Sequence, residues 1–283
     1  MRVAQALTQA MSQFTASEID TPRLDAQLLL AWILKASRED LAREPERSLT
    51  ARETLIFEKA VSLRVLRRPL PYITGEQYFY GRPFKLNRAV LIPRPETEGL
   101  VEAALAVGGV YLADIGTGSG CLAVTLACEL PHSQVWATDI SPDALNVAKK
   151  NAARHTVSDR VSFMQGDLLA PLPTGLFFDI IVSNPPYITE LESAELQPEV
   201  RAYEPSLALT GTPGATGADG TALHRRLISE ARSRLKPGGW LFLEVGQGQA
   251  ETVAAYGQLN GYRDVQIRLD LSGIGRIVEL RYP

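Results

Sequence analysis

Asn184-Pro185-Pro186-Tyr187 sets two hydrogen-bond acceptors and an aromatic ring within four positions. The Asn184 side-chain oxygen and the carbonyl of Pro185, a residue without an N–H, suit the two hydrogens of a substrate NH2. Tyr187 can lie flat against a planar acceptor group. An amide nitrogen is a poor nucleophile because its lone pair is delocalised into the carbonyl. Holding both hydrogens would aim that nitrogen at an electrophile and stabilise the positive charge that develops. No strong base is needed before attack, so the lack of a neighbouring His or Cys is no obstacle. The plain alternative is a polar turn ending the apolar run Phe178–Val182.

A second group of residues points to the electrophile. Asp114-Ile115-Gly116-Thr117-Gly118-Ser119-Gly120 places three glycines at alternate positions between an expected strand and an expected helix. Lacking Cβ, they let the chain turn sharply and let a ligand press on backbone. The spacing is not the dinucleotide fingerprint. Asp114 would repel a pyrophosphate but could hold the ammonium of a methionine moiety, directly or through water. Asp139 ends the next strand about 20 residues on, where an acid can accept ribose hydroxyls; its rival role is capping the helix that starts near Ser141-Pro142. Asp167 could accept the adenine amine while Leu168 packs on the ring, or both could belong to an ordinary loop. Candidate cofactor residues are therefore Asp114, Gly116, Thr117, Gly118, Ser119, Gly120, Asp139, Asp167 and Leu168, with Asn184 shared between cofactor and acceptor. Candidate catalytic residues are Asn184, Pro185 and Tyr187, and the substrate clamp is Asn184, Pro185, Pro186 and Tyr187. The chemistry implied is methyl transfer from S-adenosyl-L-methionine to an amide or exocyclic-amine nitrogen.

Bulk properties narrow the partners. The 283 residues suffice for one large domain and a small one, with 45% hydrophobic and 22% charged residues, ordinary for a globular protein. No apolar run approaches the ~18 residues of a membrane span, and no signal-peptide core is evident, so a soluble cytoplasmic protein is expected. A formal charge of −3 disfavours a grip on duplex nucleic acid, although Arg64, Arg67 and Arg68 could form a local basic patch. Cys121 and Cys128 are expected to be core thiols. His132, His155 and His224 fall in turn-like or helix-surface contexts without metal-ligand spacing, so no metal is expected.

The elements that must position these groups follow from periodicity. Residues 1–75 read as a small helical domain, with Leu24, Leu28 and Trp32 at helical spacing on an apolar face widened by Leu29, Leu30 and Ile33. A second helix covers about 50–66. Residues 76–92 read as a linking β-hairpin, and 93–283 as the catalytic domain. There the expected strands are Val110–Ile115, Gln134–Asp139, Val161–Gln165, Phe178–Ser183, Trp240–Val245, Val265–Arg268 and Ile277–Leu280. Helices near 121–130, 142–153, 221–235 and 250–259 separate most of them, the pattern of a doubly wound α/β sheet. The link at Ser272-Gly273 is too short for a helical crossover, so the last two strands should pair antiparallel.

The order DIGTGSG, Thr138-Asp139, NPPY resembles class I methyltransferases acting on amide or exocyclic nitrogens. Ile92–Glu98 (IPRPETE), Val200–Leu209 (VRAYEPSLAL), Ala218-Asp219-Gly220 and the early run from Asp25 to Ala31 are similar to the release-factor glutamine methyltransferases, the PrmC/HemK family, over nearly the full chain. The resemblance implies a Rossmann-like seven-stranded sheet behind a helical N-terminal domain that docks the substrate protein. It implies methylation of the glutamine amide in the Gly-Gly-Gln loop of class-1 peptide release factors. Gly116–Gly120 and Asp139 would hold S-adenosyl-L-methionine, Asn184–Tyr187 the glutamine, and Pro93-Arg94-Pro95 would border the site. Arg94 and Glu96 could equally be a structural ion pair. The TPGAT stretch within 211–217 departs from the usual pattern by lengthening a loop, which bears on how the substrate is covered. The partner implied is a release factor, with no membrane and no stable nucleic-acid complex. Rival readings are a ribosomal-protein glutamine methyltransferase, a DNA adenine or RNA guanine methyltransferase, and a noncatalytic adapter.

Overall fold

The computed structural model describes residues 1–283, which divide into two compact units: 1–76 with 197–203, and 77–196 with 204–283.

The first unit is helical: α1 (Val3–Ala16), α2 (Pro22–Leu34), α3 (Arg38–Arg43), α4 (Ala51–Val65) and α5 (Leu70–Thr74). Thr50 caps α4 by accepting from the Glu53 N–H, and Glu53 returns the bond to the Thr50 N–H, a reciprocal cap. Val3, Ala6, Ala10 and Phe14 on α1 meet Ala26, Leu29 and Leu30 on α2 in one core. The expected stripe Leu24, Leu28 and Trp32 is instead exposed, each at 37–43%. The reason is polar. Asp25 is buried against Arg64, whose Nε donates to Asp25 Oδ2 at 2.7 Å, and burying position 25 rotates the 24/28/32 stripe outward. Arg64 also donates to Glu199 at 3.1 Å and Arg67 does so at 2.9 Å. These two arginines are thus neutralised inside their unit rather than presented as a basic patch.

The second unit opens with the hairpin β1 (Glu76–Phe79) and β2 (Arg82–Lys85), whose loop residues Tyr80 and Gly81 both take positive φ, as a two-residue hairpin turn requires. A 3-10 turn at Pro95–Thr97 leads into α6 (Glu98–Val107). Then follow β3 (Tyr111–Ile115), α7 (Cys121–Glu129), β4 (Gln134–Asp139), α8 (Pro142–Arg154), β5 (Val161–Gln165) and β6 (Phe178–Ser183). Short helices α9 (Glu190–Ser193), α10 (Pro198–Tyr203) and α11 (Ser206–Leu209) precede α12 (Ala222–Ala231), β7 (Leu235–Glu244), α13 (Ala250–Leu259), β8 (Arg263–Leu269) and β9 (Gly275–Arg281); α10 belongs to the first unit.

The main sheet has the order β5-β4-β3-β6-β7-β9-β8. β3 to β7 pair in parallel; β9 runs antiparallel to both neighbours and inserts between β7 and β8, so the last strand of the chain is interior and β8 forms the edge. Successive residues alternate between two cores: Leu112, Ile180 and Val182 on one face, Ile115, Ile181 and Leu241 on the other. Burial on both faces explains why these strands read as continuous apolar runs. Helix α12 ends at Ala231, short of the expected 235, because Leu235 already begins β7. No helix is long and apolar enough to cross a membrane.

Candidate active site

The sheet brings the two chemistry-bearing motifs together by register. β3 lies between β4 and β6, and the chain proceeds outward from β3 in one direction and from β6 in the other. Ligands in open α/β sheets sit at such a reversal, beyond the carboxyl ends of the strands. Ile115 pairs with Ser183, so Gly116 and Asn184 leave the sheet side by side. The Ser183 hydroxyl donates to the Ile115 carbonyl at 2.7 Å and ties the two strand ends.

A cavity of about 400 Å³ opens there, lined by Gly116, Thr117, Gly118, Ser119, Asp139, Asp167, Leu168, Asn184 and Pro186 among others. That is the size range of small-ligand pockets. Gly116 and Gly118 have positive φ, and a Cβ built on either meets no atom within 4 Å. Their side of the turn is open space that a ligand can press into. Asp139 Oδ2 accepts from the Gly118 N–H at 2.8 Å and Oδ1 from the Ser141 N–H at 2.9 Å. Burial holds its carboxyl above the usual range despite those bonds. The cap of α8 is Ser141, whose hydroxyl accepts from the Ala144 N–H. Asp167 is gripped by Arg226 at 2.8 Å, so both charges line the same wall. An apolar, glycine-opened hollow with acids at two successive strand ends suits a nucleoside-bearing cation.

Asp114 and Gly120 do not line the hollow. Asp114 is fully buried; Oδ2 accepts from the Thr117 hydroxyl at 2.6 Å and the Ala123 N–H at 3.1 Å, bracing the turn against α7. Its Oδ1 is buried without a partner, and burial pushes the carboxyl up to about 7.

In the acceptor loop, Asn184 Nδ2 donates to the Thr97 hydroxyl oxygen at 3.2 Å, while no protein donor reaches Asn184 Oδ1. The Pro185 carbonyl likewise takes no backbone donor. Pro185 and Tyr187 stand outside the cavity lining. The Tyr187 hydroxyl turns away to Glu244 Oε1 at 3.4 Å, and burial raises its pKa. Gln249 Nε2 donates to the Tyr187 carbonyl at 3.0 Å. Gly220 passes so close that a Cβ there would sit 2.3 Å from that carbonyl, with φ at +73° as a second reason for glycine. The Asp219-Gly220 pair thus packs directly under the loop. Gly211, Thr212 and Ala215 of the loop within 211–217 line the hollow.

Arg94 does not pair with Glu96. Its Nη2 donates to Glu204 Oε1 at 2.6 Å, and Glu204 Oε2 accepts the Ile92 N–H at 3.2 Å. The IPRPETE and YEP stretches are therefore halves of one clamp built on the buried Glu204, with Pro93 and Arg94 on the cavity wall. His224 departs from its expected surface setting: it is fully buried in α12, donates Nε2 to the Glu244 carbonyl at 2.8 Å, and burial pushes its pKa down to about 4. Thr97 and Glu244 were not singled out by residue type. Thr97 lay in view within IPRPETE, whereas a lone Glu at a strand end carries no signal.

Residues 5–75 match the PrmC N-terminal domain family, and 97–200 match the methyltransferase small domain family. A release factor glutamine methyltransferase from Koribacter versatilis is 42% identical over 100% of this chain and 99% of its own length. One of the same name from Cereibacter sphaeroides is also 42% identical, over 100% and 99%. A solved methyltransferase from Pyrococcus furiosus superposes with a TM-score of 0.54 at 17% identity, covering 82% of this chain and 98% of its own, a likeness of fold alone. With full-length similarity of that strength in both units, the chain belongs to the release factor glutamine methyltransferase family.

Proposed function

We propose that this protein is a protein-(glutamine-N5) methyltransferase, cytoplasmic, that transfers a methyl group from S-adenosyl-L-methionine to the side-chain amide of the glutamine in the Gly-Gly-Gln loop of class-1 peptide release factors. The observation that carries the reading is the orientation of Asn184. Its NH2 is taken by Thr97, which leaves its oxygen as an acceptor on a residue that lines the same cavity as the glycine turn.

The bound cofactor supplies a sulfonium methyl, an electrophile that needs no metal or base for its activation. Gly116 to Ser119 would hold it against backbone, with Asp139 placed to accept ribose hydroxyls and Asp167 and Leu168 to flank the adenine. Asp114 acts behind the turn, fixing Thr117 and the first turn of α7. Asn184 and Pro185 take the two amide hydrogens, which aims the nitrogen's lone pair and stabilises the charge that grows as the bond forms. One of those protons leaves after transfer, when the nitrogen is acidic enough for water to take it. Tyr187 serves by anchoring the loop through its hydroxyl, and Pro186 walls the acceptor. The helices of residues 1–75 are assigned to docking the protein substrate, with 76–92 as link and 93–283 as the catalytic part, apart from the 197–203 segment.

The test is incubation with labelled donor and, separately, release factor, ribosomal protein, DNA and RNA. Label should enter the release factor, and Asn184→Ala should cut turnover by at least about 100-fold while cofactor binding persists. Label only in nucleic acid, or an unaffected Asn184→Ala rate, overturns the reading.

A further inference from the structure

We propose that the Glu244 carboxylate and the Thr97 hydroxyl form a buried positioning pair that fixes which end of the Asn184 amide faces the acceptor. The inference rests on the assignment of Asn184 to the acceptor amide.

An asparagine side chain is nearly symmetric in shape, and only its hydrogen-bond partners decide between its two flips. Here the partner is Thr97, 3% exposed, whose oxygen accepts from Asn184 Nδ2. A hydroxyl has one proton. Having accepted from Asn184, Thr97 must send that proton elsewhere, and its interaction with Glu244 favours the ionised carboxylate, whose Oε2 has no other partner. Glu244 is 2% exposed at the end of β7; Oε1 accepts from Tyr187 and Oε2 is buried without a bonded partner. An ionised carboxylate can only accept. Ionised Glu244 therefore draws the protons of both Thr97 and Tyr187 toward itself, and Thr97 is left with lone pairs for Asn184. The chain of bonds has one direction, and its far end is an Asn184 oxygen turned to the substrate.

A protonated Glu244 can donate as well as accept, which releases the direction. Thr97 can then point its proton at Asn184, and the flipped amide would set NH2 against NH2. Burial pushes Glu244 up to about 7; Thr97, Arg276 and Tyr187 favour its ionised form and Glu96 opposes it. Cys121 senses the same carboxylate, and His224, neutral at this pH, holds the Glu244 backbone carbonyl. The ionised form prevails above about 7, so turnover should fall as pH drops through that value.

The experiment measures kcat on a glutamine-bearing acceptor between about pH 5.5 and about 8.5, with cofactor Kd by calorimetry. Wild type should show an acid limb centred near 7. Glu244→Gln, of the same shape but able to donate, and Thr97→Val should each lose roughly 10- to 100-fold in kcat, keep cofactor Kd within about twofold, and lose the limb. Thr97→Ser, which keeps the hydroxyl, should restore most of the loss. Wild-type kcat and an intact limb in either variant would overturn the pair, as would a loss of cofactor affinity matching the loss of kcat. If Glu244→Gln does not fold, the Val and Ser variants of Thr97 decide alone, and a wild-type profile without an acid limb would count against the pair. Asn184→Ala separates the two claims. If it stays active, the acceptor assignment fails; if it is inactive while Thr97→Val matches wild type, only the positioning pair fails.

Discussion

At the scale of single residues, most of the polar groups that matter are engaged by backbone before any ligand arrives. Asp139 already accepts the Gly118 and Ser141 N–H groups, so its contribution to a cofactor site includes holding the turn in shape. Removing it strips a charged acceptor from both. Asp139→Ala should weaken cofactor binding by roughly 10- to 100-fold, read by calorimetry; an unchanged Kd would remove it from the site. Residue types made Asp139, Asn184 and the glycines legible in the sequence, because each is an unusual choice at a strand end. They did not reveal partners. That Arg94 would choose Glu204 over Glu96, or that Thr97 would orient Asn184, depends on segments about a hundred residues apart meeting in space.

At the scale of elements, the core strands were readable as apolar runs between turn residues, and three of them, Gln134–Asp139, Val161–Gln165 and Phe178–Ser183, fall where periodicity put them, as does the helix at 250–259. The insertion of β9 between β7 and β8 was not readable, since a hairpin signal fixes pairing but not which strand lies inside. The apolar stripe of α2 misled for a related reason: Asp25 went inward for its ion pair and carried the face with it. The clamp joining residues 92–94 to Glu204 is the element-scale device nearest the site. Glu204→Ala leaves Arg94 and the Ile92 N–H without their acceptor. A destabilisation on the order of 2 kcal/mol in denaturant titration is expected, with a larger rise in KM for the acceptor than fall in kcat. A variant indistinguishable in both would show that the clamp is incidental.

At the scale of the whole molecule, buried carboxyls set how stability responds to pH. Asp114 and Glu244 both stand near 7, above their ordinary 3.8 and 4.5, so the folded form takes up protons more readily than the unfolded one. Their contribution is complete at low pH and is lost as pH rises through about 7. His224, held down to about 4 from 6.5, works the opposite way, but only below its ordinary value. The cofactor-free protein should therefore gain in Tm as pH is lowered from about 8 to about 6.5; a flat or falling Tm would show that the buried carboxyls are not carried neutral. The central claim is more direct: the acceptor is a glutamine side-chain nitrogen of a release factor. Tandem mass spectrometry of the factor after reaction should place one added methyl on the glutamine of its Gly-Gly-Gln loop, present with wild-type enzyme and missing with Asn184→Ala. A methyl on any other residue, or on that glutamine regardless of Asn184, would contradict the account.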